Sequence, residues 1–233
     1  MTQRWHDIWN RRFLPADQPI DLQTLIHLDG FDSGAGEINA PDWRNYVAKI
    51  VQQSSLSNGS SVYEVGCGAG ALLYGLAERI DIDVGGCDFA SPLISVARRA
   101  ISNGDFIVSD ATEFPVSPTY DVVLANGVFH YFSDFEYAFR VVERMTAKAR
   151  RAVAILEIPD EAKRERSELK RRDMLSPNEY QQKYSGLDHL YFPKSWFSKM
   201  SEALSMECSF LDIQIPNYAQ SSFRFGVMLS KKS

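Results

Sequence analysis

Cysteine is scarce in this chain. Its 233 residues include three cysteines, at Cys67, Cys87 and Cys208. They are odd in number, lie far apart and contain no C-x-x-C pair, which argues against a disulfide framework and against a structural zinc site. We therefore expect no metal centre and a reducing compartment.

Long apolar runs and an excess of basic charge are also lacking. The opening MTQRWHDIWNRR carries charges and no apolar stretch of signal-peptide length, and no later run approaches the roughly 20 residues that a membrane span needs. The formal net charge is -5, so no basic field is present to collect phosphates. These features predict a cytoplasmic protein whose partners include neither nucleic acid nor a membrane.

From Ser61 onward, short apolar runs alternate with segments of helical period. This alternation is typical of a parallel sheet with helices on both faces, a Rossmann-like α/β domain. The predicted strands are Val62–Val65, Ile82–Cys87, Phe106–Val108, Tyr120–Ala125 and Ala152–Ile158. One helix is predicted to begin with Ser91 as N-cap and Pro92 as its first residue. A later helix is predicted to bury the stripe Phe135, Ala138, Phe139 and Val142.

The C-terminal end has a different pattern. Apolar residues alternate with polar ones from Leu211 to Ile215 and again from Phe223 to Leu229, which predicts an antiparallel hairpin joined by IPNYAQSS. With no internal repeat or linker, we expect a single domain over residues 1–233. It would consist of a helical cap or lid (1–60, with a helix from Pro41 to Gln53), a cofactor-binding core (61–160) and a substrate-side insertion with the closing hairpin (161–233).

The strongest local motif is VYEVGCGAGALL, in which a strand runs into Gly66, Gly68 and Gly70 and then into a helix. Glycines suit this place because the turn is tight and a Cβ would keep a ligand from the backbone at the helix N-terminus. Gly66, Gly68 and Ala71 also fit the dinucleotide fingerprint G-x-G-x-x-[GA]. An NAD-dependent oxidoreductase is therefore an alternative.

An acidic residue lies at or next to the end of each of the first three predicted strands. Glu64, two positions before the first glycine, suits a cofactor with an ammonium group and would repel a pyrophosphate. Asp88 ends the second strand, where a carboxylate can accept both ribose hydroxyls, and Asp110 follows the third strand, beside the expected adenine edge. Either aspartate could instead cap the next helix or turn. Taken together, the acids favour S-adenosylmethionine (SAM).

The successive segments EVGCGAG, CDFA, SDATEFP and YDVVLANGVFHYF resemble the motifs of class I SAM-dependent methyltransferases, over about residues 60–160. The resemblance implies a doubly wound, mostly parallel seven-stranded sheet with a reversed edge, SAM as cofactor and S-adenosylhomocysteine (SAH) as product. The same resemblance implies three groups of cofactor contacts. The methionine end of SAM would contact Glu64, Gly66, Cys67, Gly68 and Gly70. The ribose and adenine would contact Asp88, Phe89, Asp110 and Ala111, and the sulfonium would contact Asn126 and Gly127. Cys67 is interpreted as a small buried side chain, not a nucleophile.

Candidate catalytic residues follow the fourth strand. Methyl transfer is an in-line displacement, and an acceptor that must lose a proton needs a general base within reach. His130 is the first candidate, with packing over the adenosine or helix capping as alternatives; Tyr131 is a weaker one. His189, in the loop GLDHLYFP, could shape the acceptor pocket or lie at the surface. A carboxylate or phenol acceptor would need no base.

The class of methyl acceptor is narrowed by a motif that the sequence lacks. The segment Asn126-Gly127-Val128-Phe129 lacks the Asn-Pro-Pro-Tyr-like motif of methyltransferases that modify adenine or glutamine amides. Beyond residue 160 the resemblance is to small-molecule O- and N-methyltransferases of natural-product and sugar pathways. We therefore expect transfer to an oxygen, or else a nitrogen, of a small molecule. An oxidoreductase or a non-catalytic SAM- or SAH-binding protein stays as the alternative.

Two further segments have two interpretations each. EAKRERSELKRR could meet an anionic substrate or form a solvated helix face. The aromatics Trp5, Trp9, Phe13 and Trp43, with the turn DGFDSGAG, look like a lid over cofactor and substrate, although static packing of the cap would give the same pattern.

Overall fold

A seven-stranded sheet forms the centre of the computed structural model, which describes residues 3–31, 38–173, 176–184 and 186–231. The strands are β1 (Ser60–Val65), β2 (Ile82–Asp88), β3 (Asp105–Val108), β4 (Tyr120–Asn126), β5 (Ala149–Pro159), β6 (Met206–Leu211) and β7 (Arg224–Lys231). Their order is β3-β2-β1-β4-β5-β7-β6, and β7 runs opposite to the other six strands. The predicted fold class, with its reversed edge, is confirmed.

Helices cover both faces of this sheet. They are α1 (Gln3–Asn10), α2 (Leu22–Leu28), α3 (Ala40–Gln53), α4 (Ala71–Arg79), α5 (Ser91–Ala100), α6 (Phe135–Lys148), α7 (Arg164–Asp173), α8 (Pro177–Tyr184) and α9 (Lys194–Ala203). None of the helices in the described ranges is long and apolar enough to cross a membrane. The predicted cap helix is confirmed as α3, where the Asn39 side chain accepts from the Asp42 amide and Pro41 lies in the first turn.

Strand alternation divides the core into two layers. Along β1, Val62 packs into the cluster that includes α3, α4 and α5, whereas Tyr63 and Val65 pack into the cluster that includes α6 and α9. Successive side chains of a strand point to opposite faces, so a strand between two helical layers is apolar throughout. The four inner parallel strands, β1, β2, β4 and β5, were predictable for this reason.

The predicted first strand of the C-terminal hairpin is wrong in position. The structure places β6 at Met206–Leu211, antiparallel to β7, and leaves Ile213 and Ile215 in an irregular segment. Both isoleucines are buried, so the alternation of apolar residues in the sequence indicates burial at these positions and not a strand. The backbone N–H and carbonyl of Ile215 bond to the Ser221 hydroxyl instead of to a neighbouring strand.

Two predicted helix details are corrected as well. Ala90 and not Ser91 is the N-cap of α5, and no side chain caps it. In α6, the buried stripe is Ala138, Val141, Val142 and Met145. Phe135 is 38% exposed, because it lies in the first turn, where its ring contacts Phe192 and Trp196 at the surface end of that layer.

The strand order fixes where a ligand can bind. From β1 the chain winds outward through β2 and β3, and then crosses to β4 on the other side of β1. In open α/β sheets, ligands bind at such a reversal, outside the carboxyl ends of the strands.

Candidate active site

A cavity of about 370 Å³ lies at this reversal point, within the size range of small-molecule sites. Ten of the eleven predicted cofactor residues line it: Glu64, Gly66, Cys67, Gly68, Asp88, Phe89, Asp110, Ala111, Asn126 and Gly127. The carboxyl ends of β1, β2, β3 and β4 therefore meet around one space, as the sequence motifs implied.

The glycine loop is shaped by positive φ angles and by close neighbours. Gly66 has φ +74° and Gly68 has φ +54°. A Cβ on Gly66 would lie 2.6 Å from a Val128 methyl, and one on Gly68 would collide with the Asp29 carboxylate. Gly70 departs from its predicted role. It is the N-cap of α4 and its open side faces Ala97, so it does not line the cavity.

Asp29 is a site residue that the sequence analysis missed. It follows α2, and its carboxylate accepts hydrogen bonds from the amides of Ala69 (2.6 Å) and Ala71 (2.9 Å). Asp29 thus caps α4, whose own N-cap glycine has no side chain to do so. Burial raises the pKa of Asp29 to about 7, although these two hydrogen bonds act in the opposite direction. Because the partners are forty residues away in sequence, no local motif indicates the contact.

Three acids converge at this end of the cavity, of which Glu64 is buried and Asp29 and Asp88 are half-buried. Burial, and then repulsion from Asp29 and Asp88, raises the pKa of Glu64 well above its ordinary value. Among the residues described, none donates a hydrogen bond to Glu64 Oε2. Burial also raises the pKa of Asp88 to about 6, while its oxygens accept from the amides of Gly68 (3.0 Å) and Ala90 (2.8 Å). Such a site favours a cationic group.

The adenosine end is built from aromatic and polar side chains. His6 of α1 stacks on Phe89 with ring centroids 4.9 Å apart. Asp110 accepts from the Thr112 amide (2.8 Å) and from the Tyr137 hydroxyl (2.8 Å). Burial acts to raise the pKa of Asp110, but these hydrogen bonds outweigh it and the pKa lies below its ordinary value. Asp110 therefore caps the turn, which was the alternative to its predicted role in binding adenine. Its carboxylate still has lone pairs with which it can accept from a ligand.

The predicted catalytic residues are placed differently from one another. Tyr131 lines the cavity, whereas His130 and His189 do not. His130 is only 4% exposed, and its Nδ1 lies 3.4 Å from Nη1 of Arg224. Burial, followed by the charge of Arg224, lowers the pKa of His130 well below its ordinary value. The expectation that His130 projects over the methyl group is corrected, because its ring packs behind Tyr131 and faces a guanidinium.

The N-terminal cap covers the cavity, and all but one of its predicted aromatic residues take part. Trp9 and Trp43 line the cavity, and Trp5 stacks on His189 at 5.4 Å and meets Tyr131 edge-on at 4.6 Å. Phe13 is 65% exposed and takes no part. Phe31, which the sequence analysis did not single out, also lines the cavity. The Gly34-Ala35-Gly36 part of the predicted lid lies outside the described residues.

Cys67 lies inside the loop as a buried thiol. Burial, and then the nearby acids Asp88 and Glu64, raise the pKa of Cys67 well above its ordinary value. The thiol is the protonated, unreactive form at neutral pH. Within the described ranges, no three His, Cys, Asp or Glu side chains are placed to hold a metal ion.

Comparison with known proteins identifies the fold and the domain. Residues 62–149 match the sequence family described as "Methyltransferase domain". The whole fold is similar to magnesium protoporphyrin IX methyltransferase from Synechocystis PCC 6803 with bound SAM, with a TM-score of 0.60, 13% identity, and coverage of 99% of this chain and 92% of that one. Residues 62–149 thus match a methyltransferase domain, and the fold around them is similar to that of a methyltransferase that binds SAM.

Curated methyltransferases match over shorter stretches. The demethylmenaquinone methyltransferase of Thermotoga maritima is 25% identical over 124 residues, which are 52% of this chain and 53% of that protein. The probable tRNA methyltransferase 9B of Mus musculus is 31% identical over 88 residues, 37% of this chain and 19% of that protein. The chain thus spans about half or less of the length of these curated relatives.

The cofactor of this family fits the residues of the cavity. SAM, when bound, supplies an activated methyl group on a sulfonium, next to an ammonium group and an adenosine. The Glu64 oxygen that lacks a hydrogen bond and the raised pKa of Asp29 and Asp88 indicate a place for positive charge. A side chain at Gly68 would fill the space beside them.

Proposed function

We propose that this methyltransferase transfers the methyl group of SAM to an oxygen or nitrogen atom of a small molecule. The observation that carries the proposal is the convergence of three acids, the buried Glu64 and the half-buried Asp29 and Asp88, on one end of a cavity whose other end presents Phe89 and Asp110. The acids suit the ammonium and sulfonium charges, and the other end suits an adenosine.

The predicted cofactor residues that follow β2, β3 and β4 have proposed roles in this arrangement. Asp88 is proposed to bind the ribose hydroxyls through the lone pairs that its two amide contacts leave open. Phe89 and Ala111 are proposed to pack on the adenine, with Asp110 at the adenine amine. Asn126, whose side-chain oxygen accepts from the Tyr46 hydroxyl at 2.7 Å, is proposed to form the floor beneath the sulfonium together with Gly127.

A small acceptor is favoured by the cap and by the charge of the chain. Aromatic residues of α1 and α3 line the cavity, and a site covered in this way favours a small acceptor over a macromolecule. The net charge of -5 gives no attraction for a polynucleotide. Two of the compared proteins are named for small acceptors, demethylmenaquinone and magnesium protoporphyrin IX. The three cysteines are free thiols, which supports the cytoplasm as the place of action.

The proposal is tested by supplying SAM with a labelled methyl group together with a metabolite extract. We expect protein-dependent label in small molecules, and its loss in Gly68→Val and Asp88→Ala. The control is Asp83→Ala, which removes an exposed carboxylate on the same strand. If SAH binds and no label is transferred, the protein binds the cofactor without catalysis and the proposal is wrong.

A further inference from the structure

A hydrogen bond beside the cavity joins the cap to the sheet. The Tyr46 hydroxyl of α3 donates to Oδ1 of Asn126, the last residue of β4, at 2.7 Å. Tyr46 is fully buried, and Asn126 lines the cavity with 8% of its surface exposed. The two residues are eighty positions apart in the chain. A cap helix therefore sets the orientation of a cavity side chain that is proposed to lie beneath the sulfonium.

The Tyr46 hydroxyl stays protonated and so remains a hydrogen-bond donor. Burial, followed by the charges of Glu157 and Glu64, raises the pKa of Tyr46 well above its ordinary value. Among the described residues, Asn126 Oδ1 is the one acceptor bonded to this hydroxyl. An amide turned the other way would leave the buried phenol hydrogen without an acceptor, which costs free energy. The amide is therefore held with its oxygen toward Tyr46.

The nitrogen of the Asn126 amide is left for a ligand. No described residue accepts a hydrogen bond from Nδ2, and this atom is not enclosed by the protein. Since Asn126 lines the cavity, its N–H groups have access to that space. The side-chain oxygen is instead directed at Tyr46, which does not line the cavity. The amide thus offers the cavity hydrogen-bond donors and no acceptor.

A donor beside the methyl group discriminates between acceptor atoms. An oxygen atom has two lone pairs, so one can accept from an N–H group while the other attacks the methyl carbon. A neutral amine has a single lone pair, and none is left for a hydrogen bond during the attack. A fixed N–H donor therefore favours an oxygen acceptor over a nitrogen acceptor.

Aromatic rings form much of the cavity wall. A Cβ on Gly127, next to Asn126 in the chain, would lie 3.5 Å from the Phe31 ring. Trp9 and Tyr131 also line the cavity and meet edge-on, with ring centroids 5.5 Å apart. Flat apolar rings of this kind pack well on another aromatic ring. We therefore expect the acceptor to carry its oxygen on an aromatic ring.

A histidine base is lacking among the described residues near Asn126. His27, His130 and His189 do not line the cavity. His6 does line it, but stacks on Phe89 at the proposed adenosine end. The acids that line the cavity are proposed to bind the cofactor. An aliphatic hydroxyl would need a base, whereas a phenol ionises far more readily and suits this site.

Resting on the proposed function, we propose that the methyl acceptor is the hydroxyl oxygen of a flat aromatic molecule, a phenol. This oxygen is bound by the amide N–H of Asn126, and Tyr46 is a positioning residue that orients the amide. A hydrogen bond to the ionised form of a group favours that form, so Asn126 promotes ionisation of the phenol. Hydrogen bonds to a charged oxygen are also stronger than neutral ones.

The reaction balances without a protein base. The phenol first releases its proton to solvent. A lone pair of the phenolate oxygen then forms the bond to the methyl carbon while the carbon–sulfur bond breaks, and the electron pair of that bond stays on sulfur. The sulfonium becomes a thioether, and the phenolate becomes an aryl methyl ether.

The chemical class of the product tests the acceptor. The full chain is incubated with a metabolite extract and SAM that carries a carbon-13 methyl group, and the labelled products are examined by proton–carbon NMR. The spectra separate methyl groups on aryl oxygen, alkyl oxygen, ester oxygen, nitrogen and carbon. We expect aryl methyl ethers. Any other class as the main product would overturn the phenol acceptor but keep methyl transfer; no labelled product with intact SAH binding would overturn both proposals.

Variants of the buried pair test the positioning role. Tyr46→Phe and Asn126→Ala should each lower kcat for aryl ether formation by about 10- to 100-fold, the effect of losing a hydrogen bond to a charged group. Tyr46→Phe should leave the Kd for SAH unchanged, because Tyr46 does not line the cavity. In the double variant, the second change should lower kcat by less than about twofold further, because Tyr46 acts through Asn126.

The matched control is Tyr63→Phe, which removes the hydroxyl of a buried tyrosine that does not line the cavity. It should leave kcat unchanged. A normal kcat in a folded Tyr46→Phe variant, shown by its SAH binding, would overturn the positioning role. Losses that multiply in the double variant would also overturn it, since Tyr46 would then act independently of Asn126.

Discussion

At the scale of single residues, the proposed cofactor end is defined by three acids whose burial keeps them from being fully ionised at neutral pH. Asp29 and Asp88 have pKa values raised to about 7 and about 6, mainly by burial, and Glu64 is raised further by both of them. A bound ammonium group stabilises the ionised forms and therefore lowers these pKa values. Cofactor binding and proton release are linked for this reason.

We predict that SAH binding releases protons near pH 6.5 and becomes tighter as the pH rises from 5 to 7. In this range the free protein holds protons on Asp29 and Asp88 that the complex gives up. Calorimetry in buffers of different ionisation enthalpy measures the number released. Asp29→Asn should reduce it, since one of the two groups is removed. Proton uptake on binding would contradict the assignment of the ammonium to these acids.

His130 is the residue whose expected role changes most. A general base would make turnover rise with pH through about 6–7 and would lose roughly 10²–10⁴ in rate on replacement. The structure gives His130 a depressed pKa, so it is neutral throughout that range and serves as a donor.

We therefore predict that His130→Asn, which keeps an N–H donor, lowers turnover by about tenfold or less. At saturating SAM, the wild-type kcat should show no histidine-like rise between pH 6 and 8. Steady-state kinetics with the identified acceptor measure both quantities. A loss of 10³ together with such a rise would restore the base role.

At the scale of elements, α1 is a cap that reaches the cavity but is attached by few contacts. The connection after α1 is held by Arg99 of α5, which donates to the carbonyl oxygens of Leu14, Pro15, Ala16 and Gln18 at 3.1–3.2 Å. His6 and Trp9 of α1 line the cavity itself. Elements of this kind open at low free energy, and a ligand beneath them favours the closed form.

We predict that SAH slows trypsin cleavage after Arg11 and Arg12. Arg99→Ala should speed this cleavage and raise the Kd for SAH by about 2- to 10-fold, as expected for losing exposed hydrogen bonds. Arg79→Ala, an exposed arginine at the end of α4, is the matched control. Equal cleavage rates with and without SAH would mean that the N-terminal segment is static packing and not a lid.

At the scale of the whole molecule, the site joins parts of the chain that are far apart in sequence. Asp29, the glycine loop and Asp88 bond to one another, so a cofactor that bridges them couples the cap to the sheet. A ligand that binds only the folded state stabilises it by mass action.

We predict that SAH at about 100 times its Kd raises the free energy of unfolding by about 2.7 kcal/mol and the Tm by about 5–10 °C. NADH at the same concentration should leave the Tm unchanged, because Glu64 and its neighbouring acids repel a pyrophosphate. Thermal unfolding followed by circular dichroism measures both shifts. A larger shift with NADH would favour the oxidoreductase alternative.

Local patterns in the sequence were sufficient for the sheet and the glycine loop. Apolar runs located the buried strands, and the motifs brought ten of eleven proposed cofactor residues to one cavity, because strand ends and tight turns are set by residues adjacent in the chain. Alternation alone misplaced β6, since Ile213 and Ile215 are buried by packing and not by strand pairing.

Only the tertiary structure decided the chemistry around the acceptor. The contact of Asp29 with the loop spans forty residues, and that of Arg224 with His130 spans ninety-four. A histidine's sequence neighbours do not reveal its protonation, which depends on burial and on the charge that faces it across the fold. The sequence thus determined the parallel sheet and the residues at the strand ends to which a nucleoside cofactor is proposed to bind. Packing of β7 and α7 determined that the neighbouring histidines meet arginines, so that Nδ1 of each ring accepts from a guanidinium and the proton of the neutral ring is on Nε2.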